Sequence, residues 1–164
     1  MILNLFPTKV LIHQLPSDRV LELVSSFAEY DRKDWESLGV PFNDILDIVA
    51  SEYGGSYEIV DGWIRNGYNS FDIHCDNHYG NQLVSVVQLY GDEGKGGDLV
   101  LYDPAWRNPQ WVSDTKQPDS NTYVVPFKIG QAIVFPSDVW HKVTNYTGDI
   151  SRITLNLMLR KIND

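Results

Sequence analysis

The chain has 164 residues with 43% apolar and 21% charged side chains, a composition typical of a soluble globular protein with a single core. Its formal net charge of −9 argues against a nucleic-acid partner, because phosphate binding requires clustered Lys and Arg. No segment approaches the roughly 18 uninterrupted apolar residues of a membrane span, and no apolar leader opens the chain. With Cys75 as the single cysteine, we expect a cytoplasmic protein without a disulfide, folded as one domain over residues 1–164.

Two short strands and two helices are predicted in the first 55 residues. Residues 2–6 and 9–12 have the composition of strands. Ser17 can cap a helix whose apolar positions recur at helical spacing, and Asn43 can cap a second one. The second helix is expected to stop at Gly54-Gly55, since glycine readily adopts the left-handed backbone conformation.

From residue 57 onward the sequence changes to short runs rich in Val, Ile, Tyr and Trp, separated by clusters of Gly, Pro, Asn and Asp. These runs predict eight strands, over residues 57–64, 70–75, 83–90, 98–101, 122–126, 132–135, 140–145 and 152–160. The pattern predicts a mainly β fold, a double-sheet jelly roll over about residues 56–164 with helices from about residues 1–55 packed on one outer face. Residues 103–120, with three prolines, predict one long loop that is either a functional lid or a decorative insertion.

Three residues form a candidate metal-binding set, His74, Asp76 and His141. Residues two apart on a strand point the same way, so His74 and Asp76 are expected to project together. A strand, a proline-containing turn and a returning strand would bring His141 back towards them. Two imidazoles and one carboxylate leave positions open on ferrous iron for a cosubstrate and dioxygen, whereas a structural zinc site closes its shell.

Alternative interpretations of these histidines stay open. An isolated H-x-D pair often arises by chance, and a lone histidine is more often structural than a ligand. We interpret His13 as structural, and His78 either as a pocket-rim residue or as a competing ligand. The combination of His74, Asp76 and His141 with an arginine shortly afterwards favours the metal site.

A candidate anion site follows on the last long strand. Alternation places Arg152, Thr154 and Asn156 on one face of this strand and the intervening apolar residues on the other. The guanidinium of Arg152 can bind a carboxylate in bidentate fashion, and the Thr154 hydroxyl can donate to the same group. The alternative is a surface salt bridge at a strand start, contributing at most about 1 kcal/mol.

The pattern resembles the Fe(II)/2-oxoglutarate-dependent dioxygenases, and within them the prolyl 4-hydroxylase-like branch. The resemblance covers about residues 63–160 and includes the H-x-D…H…R arrangement, Gly96-Gly97-Asp98-Leu99 and the Ile133-to-Pro136 run. It implies a double-stranded β-helix, a ligand set of His74, Asp76 and His141, and binding of the distal carboxylate of 2-oxoglutarate by Arg152.

The implied cofactors are Fe(II), 2-oxoglutarate and O2, with ascorbate as a further candidate. The implied reaction converts 2-oxoglutarate to succinate and CO2 while it hydroxylates a substrate, either a prolyl or other peptide side chain or a small molecule. Many relatives have a tyrosine near the end of the strand after H-x-D that touches the cosubstrate. Here that strand ends in Gln88-Leu89-Tyr90, and the sequence leaves open whether Gln88 or Tyr90 faces the pocket.

Four large aromatic residues are candidates for the pocket wall, with the hydrophobic core as the alternative: Trp63, Tyr68, Trp106 and Trp140. Rival functions also stay open. One is a cupin-type metal protein, because four residues have the spacing of the second cupin motif: Gly130, Pro136, His141 and Asn145. Others are a non-catalytic jelly-roll binding module and a sensor that binds metal and 2-oxoglutarate without turnover. The sequence favours the oxygenase because Asp76 stands where a cupin has a second histidine.

Overall fold

The structure, a computed structural model, describes residues 1–5, 8–27, 42–68, 70–77, 80–103 and 122–162. These residues form two helices and ten strands. In chain order the elements are β1 (Ile2–Leu5), β2 (Thr8–Gln14), α1 (Ser17–Phe27), α2 (Asn43–Tyr53), β3 (Ser56–Gly67), β4 (Phe71–His74), β5 (Leu83–Tyr90), β6 (Leu99–Tyr102), β7 (Thr122–Val125), β8 (Gln131–Pro136), β9 (His141–Val143) and β10 (Arg152–Ile162).

The strands form two antiparallel sheets. The six-stranded sheet has the order β1-β2-β8-β5-β10-β3, and the four-stranded sheet has the order β4-β9-β6-β7. Strands that are distant in sequence are neighbours in both sheets, as in the pairing of β10 with β3 and β5. Two sheets of short antiparallel strands are the architecture of a jelly roll, and the prediction of a mainly β double-stranded β-helix is confirmed.

Two apolar clusters hold these layers together. The first lies between the helices and the six-stranded sheet, where Leu23 of α1 and Val49 of α2 belong to the same buried cluster as Leu155. The second lies between the sheets and includes Phe135 and Met158. Strand β10 contributes to both clusters because successive side chains on a strand point to opposite faces. The helices therefore cover one outer face of the barrel, as predicted.

The helix ends agree with the sequence in one place and differ in another. Helix α2 stops before Gly54, which has a φ of 76° and donates its backbone N–H to the carbonyl of Ala50. The prediction that Asn43 caps this helix is wrong, because Phe42 occupies the cap position and makes no side-chain capping hydrogen bond. Phe42 is buried in the helix-facing cluster, so burial of its ring fixes the helix start in place of a polar cap.

Some predictions fall on parts of the chain outside the described residues. These are Trp106, His78 and the predicted loop over residues 103–120 apart from its first residue. Within the described residues, no helix is long and apolar enough to cross a membrane. The assignment of residues 1–164 to one domain stays a prediction.

Replacing Leu155 with Ala is expected to lower the free energy of unfolding by about 3 kcal/mol, because it leaves a cavity between the sheet and the helices. Leu155 is 0% exposed. Leu21 on α1 is 67% exposed, so Leu21→Ala is the matched control and should change the stability by less than about 0.5 kcal/mol. Urea denaturation measures both. Equal effects of the two substitutions would contradict this packing of the helices.

Candidate active site

The two histidines of the predicted set lie opposite each other on neighbouring strands. Strand β4 pairs with β9, and His74 is the register partner of His141. Their ring centroids are 4.3 Å apart, and the His141 ring also meets the Phe135 ring edge-on at 5.0 Å. His141 is buried, whereas the His74 side chain is 40% exposed. The returning strand thus brings His141 back to His74, as the sequence predicts.

Asp76 reaches this pair by a different route from the predicted one. Strand β4 ends at His74, so strand alternation does not place Asp76. Its backbone N–H donates to the carbonyl of Ser137 at 3.0 Å, and the Ser137 hydroxyl donates to the carbonyl of Asn81 at 2.9 Å. This link to the turn after β8 brings the Asp76 carboxylate oxygens to 3.3 Å from Nε2 of His141 and 3.7 Å from Nε2 of His74.

The hydrogen bonds of the two imidazoles fit a metal site. Nδ1 of His74 lies 2.7 Å from the carbonyl of Asp72, and Nδ1 of His141 lies 3.0 Å from the carbonyl of Val139. A carbonyl only accepts hydrogen bonds, so each Nδ1 is assigned the proton, and the Nε2 lone pairs are left to face Asp76. Burial lowers the pKa of His74, so its imidazole is neutral at neutral pH.

The three side chains offer one ligand atom each, and these atoms all lie within 4.8 Å of one another. Two nitrogen lone pairs and a carboxylate at this spacing repel one another unless a cation lies between them. The donor set therefore fits a divalent metal ion, and two imidazoles with one carboxylate are the donors of a non-haem iron(II) site.

A cavity that is partly open to solvent joins this cluster to the start of β10. Arg152, Thr154 and Asn156 all line it, whereas the intervening Ile153 and Leu155 belong to the helix-facing cluster. The predicted alternation along β10 is confirmed. The cavity therefore brings together the metal-binding cluster and a cationic side chain on the opposite sheet.

Arg152 is buried at one end of this cavity with 5% of its surface exposed. Its guanidinium donates to the carbonyl of Gly97 at 2.8 Å. Burial is the main cause that lowers the pKa of Arg152 to about 10, so the side chain still carries its charge at neutral pH. A charged guanidinium at the end of a poorly solvated cavity is suited to binding a carboxylate.

The contacts that orient Arg152 are not evident from the sequence. Gly97 has a φ of 77°, and a Cβ there would lie 3.0 Å from Cδ of Arg152 and 3.3 Å from the ring of Tyr146. The Tyr146 hydroxyl accepts from the backbone N–H of Asp92 and donates to the carbonyl of Ile150, both at 2.7 Å. The Gly96-Gly97 pair can be recognised in the sequence as a candidate close approach, but no spacing rule singles out Tyr146.

The burial of Gln88 and Tyr90 on β5 shows which of these two side chains faces the cavity. Gln88 lines the cavity and is 1% exposed, whereas Tyr90 is 42% exposed. Of the described aromatic candidates, Trp63 lines the cavity, and Tyr68 and Trp140 are not among the described residues that line it. Gln88 and Trp63 therefore belong to the cavity wall.

A second arginine, Arg65, also lines the cavity, and no motif in the sequence singles it out. The guanidinium carbon of Arg65 on β3 lies 3.3 Å from the centroid of the Phe71 ring on β4. The Phe71 ring in turn meets the His74 ring at 6.3 Å in an edge-on arrangement. Arg65 is the register partner of Thr154, which explains why it faces the same cavity.

The sequence matches one family model, described as "Putative 2OG-Fe(II) oxygenase", over residues 66–157, which is more than half of the chain. This range includes the three candidate metal ligands, His74, Asp76 and His141, and Arg152. No curated protein matches the chain in sequence.

Several solved structures have a similar fold. The non-heme alpha ketoglutarate dependent epimerase SnoN from nogalamycin biosynthesis has a TM-score of 0.71 and 12% identity, covering 93% of this chain and 78% of that chain. HygX from Streptomyces hygroscopicus with iron bound has a TM-score of 0.70 and 12% identity, covering 94% and 83%. A Pseudomonas putida prolyl-4-hydroxylase has a TM-score of 0.65 and 15% identity, covering 94% and 93%. At these identities the likeness shows a shared fold.

Replacing His141 with Ala is expected to weaken iron(II) binding by at least about 100-fold, because loss of a metal ligand costs more than loss of an outer hydrogen bond. His13 on β2 is not among the described cavity residues, so His13→Ala is the matched control and should leave the affinity unchanged. Anaerobic titration calorimetry of the apo-protein measures both. A similar loss in the two variants would contradict the ligand assignment.

Proposed function

This chain belongs to the 2OG-Fe(II) oxygenase family, and from that premise we propose that His74, Asp76 and His141 bind the iron while Arg152 binds the distal carboxylate of 2-oxoglutarate. As a member of this family the protein is an oxidoreductase that uses iron(II), 2-oxoglutarate and O2. The residue assignment rests on one observation: the three candidate ligands and Arg152 line the same cavity. We further propose that the reaction hydroxylates a C–H bond of a small molecule or a peptide side chain.

When bound, iron(II) and 2-oxoglutarate supply the activation of O2 that oxidises a substrate C–H bond, with succinate and CO2 as coproducts. The task of the protein is to position these groups and exclude competing reactions. His74, Asp76 and His141 would hold the metal with three ligand atoms, and further coordination would then be available to the cosubstrate and O2. The carbonyls of Asp72 and Val139 hold the two imidazoles in the required tautomer.

The buried end of the cavity is built to hold a carboxylate. Arg152 supplies the charge, and Thr154, with 5% of its surface exposed, supplies a hydroxyl on the same face of β10. The Gln88 side chain is fixed beside them because its amide oxygen accepts from the backbone N–H of Lys128 at 2.7 Å. Leu99 lines the same cavity with an apolar side chain, so water screens the carboxylate of the cosubstrate weakly there.

The experiment that tests this proposal is an anaerobic titration of the apo-protein with iron(II) and then 2-oxoglutarate, followed by the visible charge-transfer band of the chelate. We expect the band in the wild type. Arg152→Ala should raise the dissociation constant of 2-oxoglutarate at least about 10-fold, because it removes charge-assisted hydrogen bonds, and should leave iron affinity unchanged within about threefold.

Any outcome that differs from these expectations would contradict part of the proposal. Iron binding without the band would favour a cupin-type metal site, and absence of iron binding would favour a jelly-roll scaffold. Equal loss of iron and 2-oxoglutarate binding in Arg152→Ala would exclude Arg152 as the specific anchor.

Gly97→Ala tests whether the orientation of Arg152 matters. The added Cβ would lie 3.0 Å from Cδ of Arg152, so we expect the side chain to shift and 2-oxoglutarate binding to weaken about 10-fold, as for a lost charged hydrogen bond. Gly94→Ala is the matched control, because Gly94 has the same φ of 77° with no atom within 4 Å of the added Cβ. The backbone strain is then similar in both variants. Equal cosubstrate affinity in the two would show that the orienting contact is unimportant.

A further inference from the structure

The cavity has a buried end and a half-exposed end. Arg152, Thr154, Gln88 and His141 are all buried. The half-buried lining residues include Arg65 on β3 and Phe71 on β4. β3 and β4 are the terminal strands of the two sheets, so the cavity reaches solvent between the two sheet edges. We call Arg65, Phe71 and His74 the mouth of the cavity.

The cation at the mouth is held in a defined place. The Arg65 guanidinium lies over the face of the Phe71 ring, a favourable arrangement for a cation. A guanidinium seated on a ring directs its N–H groups along its own plane, which suits bidentate recognition of a carboxylate. Arg65 lines the same cavity as His74 and Arg152, so it lies alongside both ends of the site.

The charges of the lining point to an anionic ligand. Within the described residues, the cavity is lined by one carboxylate, Asp76, and two guanidiniums, Arg65 and Arg152. The charges of iron(II), Asp76, 2-oxoglutarate and Arg152 cancel when all four are present. Arg65 adds a second guanidinium to the lining, at the end from which a second ligand would enter. The field of this guanidinium favours a negatively charged molecule.

Resting on the proposed function, we propose that the molecule oxidised at this site carries a carboxylate, and that Arg65 binds this group at the mouth of the cavity. The carboxylate belongs either to a small free acid or to an acidic peptide side chain. The net charge of −9 of the whole chain would by itself favour basic partners. Close to the site the local charge prevails, because charges beyond roughly 10 Å are screened at physiological salt.

The test uses protein loaded with cobalt(II) and saturated with 2-oxoglutarate, so that no turnover is needed. Two pairs of probes differ only in a carboxylate or a carboxamide: butyrate with butyramide, and blocked Ala-Asp-Ala with blocked Ala-Asn-Ala peptides. Broadening of the probe NMR signals by the paramagnetic metal reports binding near the metal and gives the affinity. The first pair represents a small acid and the second an acidic side chain.

We expect the carboxylate of at least one pair to bind about two- to fivefold more tightly than its amide, as for a partly exposed ion pair. Arg65→Gln should abolish this preference, and Arg65→Lys should retain part of it. Arg160→Gln is the matched control, because Arg160 lies on β10 in an exposed ion pair with Glu58 and should leave the preference intact. The affinity for 2-oxoglutarate should stay within about threefold of wild type in all three variants.

Three results would overturn the inference. If neither carboxylate binds better than its amide, the site does not select acids. If Arg65→Gln weakens 2-oxoglutarate as much as Arg152→Ala does, Arg65 serves the cosubstrate. If the wild type fails to bind 2-oxoglutarate, the proposed function itself fails, and this inference fails with it.

Discussion

The hydrogen bond from the backbone N–H of Asp76 to the carbonyl of Ser137 is the contact on which the candidate metal-binding cluster of His74, Asp76 and His141 depends. Strand β4 has ended before Asp76, so this bond sets the position of its carboxylate. The Ser137 turn also leads the chain from β8 towards β9 and His141. One turn therefore fixes two of the three candidate ligands, and the pairing of β4 with β9 fixes His74 against them. Packing of Phe135 against the His141 ring adds rigidity to the same corner.

The two arginines that line the cavity differ in burial: Arg152 is buried, whereas Arg65 is half-buried. In the proposed function, the cosubstrate carboxylate at Arg152 would be poorly screened by water, so a few donors on β5 and β10 would be enough to bind it. Arg65 lies at the mouth of the cavity, where the proposed interaction with a substrate carboxylate would be weaker and sensitive to salt. This proposed division, with the cosubstrate held tightly at the buried end and the substrate held loosely at the mouth, would suit an enzyme that uses 2-oxoglutarate in every turnover and must release its product.

Local sequence patterns predicted much of the fold and part of the candidate site. The alternation along β10 correctly placed Arg152 and Thr154 on the cavity face, because a period of two is a local property of a strand. The same rule was wrong for Asp76, since a sequence does not show the residue at which a strand stops pairing. Asn43 failed as a cap for a similar reason, because burial of the neighbouring Phe42 outweighs the preference for a polar cap.

The sequence by itself determined the fold class, the approximate strands and the types of residue available for chemistry: two histidines and an aspartate for a metal, and an arginine for an anion. The tertiary structure alone decided which atoms meet. It placed Gln88 rather than Tyr90 in the wall, set Gly97 against Arg152, and brought Arg65 to the mouth. These contacts join strands far apart in the chain, and their geometry depends on sheet register, which is set by the packing of the whole barrel and not by any short stretch of sequence.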